Sequence, residues 1–416
     1  MGFPEGFRCG PSLPGCSGSC VRSHEQWVVT LALTPLTLLL FGQVSVVGLL
    51  ANAVAIPWVT LVVTPLSMLG VLLAPLWDAA AWAVTALGWY LRLLAQLPFA
   101  TVYIAAPAIW AGAAGVLGGL LLAMRLPWSL RLLGLPLMLP VLLWQPQRPP
   151  AGQFELLAAD VGQGNAVIVR TAKHTLVYDT GPRFSQESDA GQRVLVPLLR
   201  ALGERVDTVM LSHRDSDHIG GAPAVLAMQP QANLLSSIEA DHPLQALRPA
   251  TRCISARDGG QRWVWDSVRF EVLHPGADDY EAPNKPNAMS CVLRISNGAQ
   301  TALLVGDIEQ PQEARLVADA ANLIKADVLL VPHHGSRTSS SAMFLDAVQP
   351  RFALVQAGYR SRFGHPAAPV LARYQERGIG VLDSAHCGAA LWASARPDEV
   401  TCQRAAALRY WHHRVP

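Results

Sequence analysis

Between Gln26 and Gln145 the only charged side chains are Asp78, Arg92, Arg125 and Arg131. A water-soluble domain carries charge on roughly a quarter of its residues, because its surface must be solvated. A stretch this apolar suits lipid, not water, as its solvent. The composition of the 416-residue chain, 51% hydrophobic and 15% charged, therefore averages two unlike parts. One is a membrane part; the other, after Gln145, is a soluble part that holds most of the charge. The same numbers exclude intrinsic disorder. A formal net charge of +2 excludes a strong polyanion-attracting field over the whole chain, so any nucleic acid must meet a local patch.

Hydrophobic runs cover Trp27–Phe41, Val44–Val63, Leu66–Gly88, Thr101–Met124 and Trp128–Trp144. A helix needs about 20 apolar residues to cross a bilayer, so four or five spans fit. Leu91–Leu97, with Arg92, reads as an interfacial piece. Pro35, Pro57, Pro65, Pro75, Pro107, Pro136 and Pro140 fall in or beside the runs. Each interior proline frees a carbonyl that lipid cannot satisfy. A packed bundle with a path through it and ordinary proline use in membrane helices explain this equally well. Gln43 and Asn52 read as hydrogen-bonding groups between helices. With five spans, Arg8, Arg22, Arg125 and Arg131 fall on one side, which the positive-inside rule makes cytoplasmic. The soluble part is then outside the inner membrane; Arg92, on the other side, argues against that orientation.

Residues 1–25 do not read as a signal peptide, since the apolar run that follows is too long and lacks a cleavage site. Cys9, Cys16 and Cys20 have no histidine or second pair to make a metal site, and read as part of an unassigned segment. Cys387 and Cys402 can pair if their domain faces an oxidising compartment. The run Q-P-Q-R-P-P-A-G at Gln145–Gly152 is a proline-rich linker.

After it, strands are expected at Phe154–Asp160, Ala166–Thr171, Thr175–Asp179, Val206–Leu211, Val268–Leu273, Ser290–Ile295, Ala302–Val305, Asp327–Val331 and Phe352–Val355. Helices are expected at Gln192–Leu202, Ala222–Met228, Gln310–Ala321, Ala342–Val348 and Ala368–Arg377. Meanders mixed with α/β units imply two sheets sandwiched by helices.

The chemistry lies where strands end. Val206–Leu211 runs into Ser212-His213-Arg214-Asp215-Ser216-Asp217-His218, followed by Gly220-Gly221. Four ligand-type side chains packed so closely repel or stay unsatisfied unless they are solvated or bind metal. His213 and Asp215 can face one ion, and Asp217 and His218 a second. Asp307 follows Ala302–Val305, where a carboxylate can bridge two cations or simply cap the next helix. His333 and His334 follow Asp327–Val331 and precede Gly335-Ser336, as ligands or proton donors. His365, in Gly364-His365-Pro366, is a bland loop histidine except as a member of this series. Asp179, in D-T-G, is placed to orient a ligand histidine.

This series resembles the metallo-β-lactamase fold. More narrowly, D-V-G-Q-G-N-A at Asp160–Ala166, L-S-H-R-D-S-D-H-I-G-G and V-P-H-H-G-S resemble the ComEC family of DNA-internalisation proteins of natural competence. The membrane part agrees, since Leu33–Pro57 resembles the end of that family's competence channel domain. The resemblance implies an α-helical polytopic membrane bundle followed by a four-layer αββα sandwich. Its divisions are an unassigned segment 1–25, a membrane domain 26–145, a linker 146–152 and a hydrolase domain 153–416.

Residue by residue, the resemblance implies that His213 and Asp215 hold a first metal, that Asp217, His218 and His365 hold a second, and that Asp307 bridges them. One of His333 and His334 is placed to complete the first site or to protonate the leaving oxygen, with Asp179 behind. Asn287, Ser290 and Ser336 are expected at the substrate. Carboxylate-rich ligation favours manganese, with zinc open. Two close cations activate a water and neutralise charge on a phosphate.

The family reading implies uptake of DNA across the inner membrane by a multi-pass protein. One strand passes, and a periplasmic hydrolase domain degrades the other, with single-stranded DNA and other competence proteins as partners. Single strands are held by basic and aromatic side chains. Arg262, Trp263, Trp265, Arg269 and Arg360, Arg362, Phe363 are two such sets, each more commonly a strand edge or a loop. An inert DNA-binding domain and an envelope phosphoesterase are the alternatives.

Two departures from the family stand out, and one from the wider fold that the family commonly shares. Its further N-terminal helices and small extramembrane domain are not evident, so a shortened channel is expected. Asn165 stands where aspartate is common and is expected to shape a turn. Asp215 stands where the wider fold has histidine.

Overall fold

The computed structural model describes residues 33–410, apart from Pro98 and Ala282, together with Val415. Residues 1–25, with Arg8, Arg22, Cys9, Cys16 and Cys20, and the start of the first hydrophobic run lie outside the described residues. The chain divides into two compact units, Met1–Pro146 with Arg200–Gly203, and Gln147–Leu199 with Glu204–Pro416.

In the first unit, Gly48–Trp58, a π-helical turn Val59–Val63 and Thr64–Leu69 form one helical run. This Gly48–Leu69 run is 22 residues long, has a mean hydropathy of 1.8, and is the one helix among the described residues long and apolar enough to cross a membrane. The expected break near Val63 is absent. Pro57 sits inside the helix, and the wider turn follows directly after it. A π turn is one way a helix absorbs a residue that disturbs its hydrogen-bond ladder. The chain breaks instead around residues 70–74, and Pro75–Ala95 forms the next helix. Arg92 therefore lies in the last turn of a 21-residue helix, and the separate interfacial piece expected at Leu91–Leu97 does not form. Thr101–Tyr103, expected to be helical, pairs antiparallel with Gln43–Ser45.

Shorter apolar helices cover Ile109–Ala123 and, with a break, Trp128–Leu132 and Gly134–Leu142. Ile109–Ala123 buries Gly112, Gly115, Gly118 and Gly119. A Cβ at Gly118 would meet the Gly134 carbonyl at 2.6 Å. Small residues allow this backbone approach, which is how apolar helices associate when water does not drive them together.

The second unit is built on two sheets. The first uses β1 Glu155–Ala158, β2 Val167–Arg170, β3 Thr175–Tyr178, β4 Thr208–Leu211, β5 Asn233–Ser236 and β6 Ala250–Arg252. The second uses β7 Arg262–Trp265, β8 Val268–His274, β9 Val292–Ser296, β10 Thr301–Leu304, β11 Val328–Leu330, β12 Phe352–Val355 and β13 Gly380–Asp383. The chain then returns to the first sheet with β14 Ala390–Ala393 and β15 Arg396–Cys402. The orders are β6-β5-β4-β3-β2-β1-β14-β15 and β7-β8-β9-β10-β11-β12-β13. Each sheet is antiparallel on one side and parallel on the other: β3 through β6, and β10 through β13, run parallel.

Side chains alternate along a strand, and here both faces are apolar. Leu156, Val169, Leu176, Tyr178, Phe270, Leu293, Leu304, Leu330 and Trp392 fill the space between the sheets. On the second sheet's outer face, Leu303, Val305, Leu329 and Val355 pack with Leu316, Phe344 and Tyr374 of helices Gln310–Ile324, Ala342–Val348 and Ala368–Glu376. On the first sheet's outer face Ile168, Val177 and Val209 are buried, as are Val225 and Leu226 of Ala222–Met228. The four layers agree with the sandwich expected from sequence.

Two disulfides join Cys253 to Cys291 and Cys387 to Cys402. The first links the two sheets through the core, a pairing the sequence did not suggest.

The proline-rich linker is fixed to the second unit by charge. Arg148 Nη1 lies 2.6 Å from Glu204 Oε2, and its Nη2 donates to His174 O at 2.8 Å. Arg170 pairs with Glu155 at 2.8 Å and with Glu204 at 2.9 Å. Glu204 and Arg170 are both buried. Removing one partner of a buried ion pair leaves an uncompensated charge, at about 3–5 kcal/mol. Glu204→Ala is expected to destabilise the second unit by about that amount. Chemical denaturation followed by tryptophan fluorescence checks it; a change below about 1 kcal/mol would place the network at the surface in energetic terms.

Candidate metal centre

Strands that end together bring their following loops together, and four such ends form the site. β4 leads into His213, β10 into Asp307, β11 into His333-His334, and β3 into Asp179. His213, His218, Asp307, His334 and Asp179 are all buried.

Each of the three buried histidines of the site is held through Nδ1 with Nε2 turned inward. His218 Nδ1 lies 2.8 Å from Asp179 Oδ2, and His334 Nδ1 lies 2.9 Å from Gln356 O. His213 Nδ1 lies 3.0 Å from Ser212 Oγ. Asp179 also accepts from Ser212 N and Ser212 Oγ at 2.7 and 2.8 Å. Such outer contacts fix which nitrogen carries the proton and aim the other at the site.

The inward atoms approach one another without hydrogen-bonding. His218 Nε2 is 3.2 Å from Asp307 Oδ1, and His334 Nε2 is 3.3 Å from Asp217 Oδ2 and 3.5 Å from Asp307 Oδ2. Yet His213 Nε2, His218 Nε2, His334 Nε2 and Asp307 Oδ1 are buried with no hydrogen-bond partner. Buried polar atoms are almost always paired, and each orphan costs about 1–3 kcal/mol. Two groups bring three ligand atoms within 4.8 Å of one another: His213, His218 and Asp307, and Asp217, His218 and His334. Imidazole nitrogens and carboxylate oxygens are the donor set of divalent transition metals, so the orphaned atoms fit a pair of such ions.

The electrostatics agree. Burial pushes the Asp307 carboxyl up, but the charges of His218 and His334 outweigh it and hold the group well below the usual range. At Asp217 burial is likewise outweighed, by contact with His334 and the charges of His218 and His334, giving about 2. At His218 burial lowers the pKa, but Asp307 and Asp179 raise it well above the ordinary value.

The other expected residues are placed as follows. Asp215 is 44% exposed and lies 3.5 Å from His213 Nε2, at the N-cap position of the short helix Ser216–Ile219. His365 stands further out, its ring centre 6.4 Å from that of His334 and 5.7 Å from that of His333. Burial, and then the charges of His334 and His333, lower its pKa. His333 is at the rim, with Nδ1 3.4 Å from Glu309 Oε1 and Nε2 3.8 Å from Asp307 Oδ2. Asn287 Nδ2 is 3.5 Å from His333 Nε2.

Ser290, expected at the substrate, is fully buried: its hydroxyl accepts from Asp307 N at 3.0 Å and lies 3.4 Å from His213 Nδ1. It shapes the site from behind and has no surface for a substrate. Ser336 is also buried, and its hydroxyl lies 3.1 Å from Thr338 Oγ1 in the turn after the histidines. Asp307 is not a helix cap; Glu309 takes that position for Gln310–Ile324.

Glu309 and Gln356 escaped the sequence reading. Gln356 follows β12 directly, the strand-end position that marked the others. Backbone geometry marks the site as well: Asp179, His333 and His334 have φ of 57°, 48° and 54°. Left-handed backbone in non-glycine residues is uncommon and gathers at functional sites. Gly221 serves close approach, since a Cβ there would meet Thr180 O and Gly191 N at 2.4 Å.

Residues 11–129 match the family described as Competence protein, and residues 159–358 match the metallo-beta-lactamase superfamily. Competence protein ComA of Neisseria gonorrhoeae is 34% identical over 94% of this chain and 54% of its own length. ComE operon protein 3 of Bacillus subtilis is 30% identical over 85% of this chain and 49% of its own. The chain belongs to the ComEC family of competence proteins. An uncharacterised relative, YcaI of Escherichia coli, is 31% identical over 94% of this chain and 51% of its own length. The chain thus spans about half the length of these relatives. A metallo hydrolase from Ignicoccus hospitalis covers 57% of this chain and 98% of its own, at 13% identity and a TM-score of 0.37.

A ligand that binds only the folded state stabilises it, by about 2.7 kcal/mol at a hundred times its Kd. Adding manganese or zinc to chelator-treated protein is expected to raise its melting temperature, and Asp307→Ala is expected to lose most of that rise. A wild-type melting curve indifferent to both ions would contradict the two-ion reading of the orphaned atoms.

Proposed function

We propose that this ComEC-family chain takes part in DNA uptake across the inner membrane, and that its second unit is a two-metal phosphodiesterase degrading the strand that is not transported. One observation carries the hydrolase reading: buried, unpartnered donor atoms of His213, His218, His334 and Asp307 fall in two three-ligand groups that both include His218. His213, Asp215, Asp217, His218, His334 and Asp307 would hold the ions, with Asp307 between the two groups and His365 at the open side. Bound there, two divalent ions supply an activated water and offset charge on the attacked phosphate.

The protein's own contribution is orientation and proton transfer. Asp179 and the Gln356 carbonyl fix the rings of His218 and His334. His333, at the rim, has Glu309 beside Nδ1, which leaves Nε2 to face the site. That is the position from which a proton can pass to the leaving oxygen. His334 adds an imidazole to the donor set read from sequence, so zinc gains on manganese, and both belong in the assay.

The two disulfides support a periplasmic second unit, because such bonds persist in oxidising compartments. The apolar first unit, with its span-length helix Gly48–Leu69, supports a membrane location, which the family reading makes multi-pass. Other competence proteins are the natural partners of a protein in this position.

Detergent-solubilised protein is expected to cleave single-stranded DNA when supplied with manganese or zinc, and Asp217→Ala combined with Asp307→Ala is expected to reduce cleavage to background with circular dichroism unchanged. Retained cleavage in the double variant would refute the site. DNA binding without cleavage by the wild type would favour an inert binding domain, and a strong preference for a small chromogenic phosphodiester would favour an envelope phosphoesterase.

A further inference from the structure

Two sequence features are not used by the metal-ligand geometry: the glycine-rich run Asp160–Ala166 and the basic-aromatic run Tyr359–Phe363. The structure joins them. The Gln356 side chain donates to the carbonyls of Ala159 and Ala166, at 2.7 and 3.0 Å, and accepts from Ala166 N at 3.0 Å. Further along, Gln163 Oε1 accepts from Gly358 N at 3.3 Å and from Ser361 Oγ at 2.8 Å. Ser361 accepts in turn from Phe363 N at 3.3 Å and from Gly364 N at 2.9 Å. Gln163 itself is held near the ligand loop: next to it Gly164 has φ +137°, and a Cβ there would meet Asp217 O at 2.2 Å.

A loop tied in this way holds an aromatic ring in water. Phe363 is 55% exposed. Its ring centre is 5.9 Å from that of His365, with 28° between the planes, and Arg362 lies 4.8 Å from its centre. Arg360 lies 5.2 Å from the Tyr359 ring centre. Arg360 and Arg362 are exposed and, among the described residues, form no ion pair with a carboxylate. His365 in turn neighbours His333 and His334, so this ledge begins one ring away from the proposed ligands. Of the other basic-aromatic set Arg269 is exposed, but the remaining three side chains are committed internally. Arg262 pairs with Glu271 at 2.8 Å, Trp263 stacks on Phe270 at 5.1 Å, and Trp265 stacks on His174 at 4.9 Å.

Aromatic faces and unpaired guanidinium groups in sequence are how proteins hold single strands without reading their sequence. We propose that the loop Gly358–Gly364 is the ledge on which single-stranded DNA lies as it enters the hydrolase site. Phe363 stacks on the base beside the phosphate to be cut, and Arg360 and Arg362 meet the flanking phosphates. Arg362 gives up the ring to the base and turns to the backbone. Gln163 is a positioning residue that fixes the loop. This rests on the nuclease reading and names the group on the substrate that the site grips.

The test compares a base-bearing oligonucleotide with one of equal length made of abasic nucleotides, using the full chain in detergent with manganese or zinc. For the wild type, KM is expected to be about ten-fold higher for the abasic strand, the lower part of what one base–aromatic stack contributes. In Phe363→Ala that ratio collapses to about one, Phe363→Trp restores it, and Gln163→Ala lowers it. Fluorescence anisotropy of the same oligonucleotides in chelator reads the same ratio as a Kd, independently of cleavage. A ratio of ten surviving in Phe363→Ala, or no ratio in the wild type by either measurement, overturns the ledge. A binding ratio that depends on Phe363 in a protein that cuts neither strand upholds the ledge and overturns the nuclease reading.

Discussion

Four donor atoms without protein partners set the terms for the second unit. A buried imidazole nitrogen or carboxylate oxygen has lost its water, and folding ordinarily replaces that water with a hydrogen bond. At His213, His218, His334 and Asp307 it does not. The surrounding structure instead uses its hydrogen bonds on the far side of each ring, through Asp179, Ser212 and the Gln356 carbonyl. The arrangement keeps the inner lone pairs free at a cost in stability. A fold keeps such a cost where a bound cation offsets it, which ties the stability of the site to its ligand.

The sandwich explains why the donors converge. Parallel strands send their ends, and so their loops, to the same edge. In each sheet the parallel half begins beside the antiparallel half, at β3–β4 and at β10–β11, and the site lies where these two edges face one another. The disulfide between Cys253 and Cys291 crosses the core between the sheets. Cys291 N also donates to Ser212 O at 2.8 Å, and its neighbour Ser290 accepts from Asp307 N. Ser290 and Cys291 therefore hydrogen-bond both loops, the one that carries His213 and the one that carries Asp307, and the disulfide anchors this pair in the core.

Much of this was legible because the decisive residues are contiguous. H-R-D-S-D-H needs no knowledge of tertiary structure to look like ligation, and the apolar strands before each motif give the strand-end positions directly. The division of labour within the motifs was not legible. His333 and His334 are neighbours in a left-handed turn, where the usual alternation of side chains fails, so sequence could not say which enters the core. Sharing of His218 between both three-atom groups depends on loop rotation, which spacing does not encode. The strands missed are β5, β6 and β13, together with β14 and β15, which return to the first sheet from the far end of the chain; β7 reads from sequence only as a strand edge or a loop. In the apolar unit, the hydrophobic runs divide after Val63, next to Pro65, and Pro57 is expected only to bend its helix. There the π turn after Pro57 keeps the helix continuous.

The two basic-aromatic runs show why composition does not decide availability. Arg262-Trp-Val-Trp265 and Arg360-Ser-Arg-Phe363 offer similar groups. The first lies on an edge strand of the second sheet, where alternation turns both tryptophans toward Phe270 and His174 and Glu271 takes the arginine. Its two aromatic rings are thus taken up within the domain. The second lies on a loop, where its ring and guanidinium groups contact each other, Tyr359 and His365. Exposure of this kind usually disappears by movement of the loop, but here Gln163 and Ser361 hydrogen-bond the backbone in place. An exposed ring held still beside a cluster of ligand-type side chains points outward, to a partner that the chain itself does not contain.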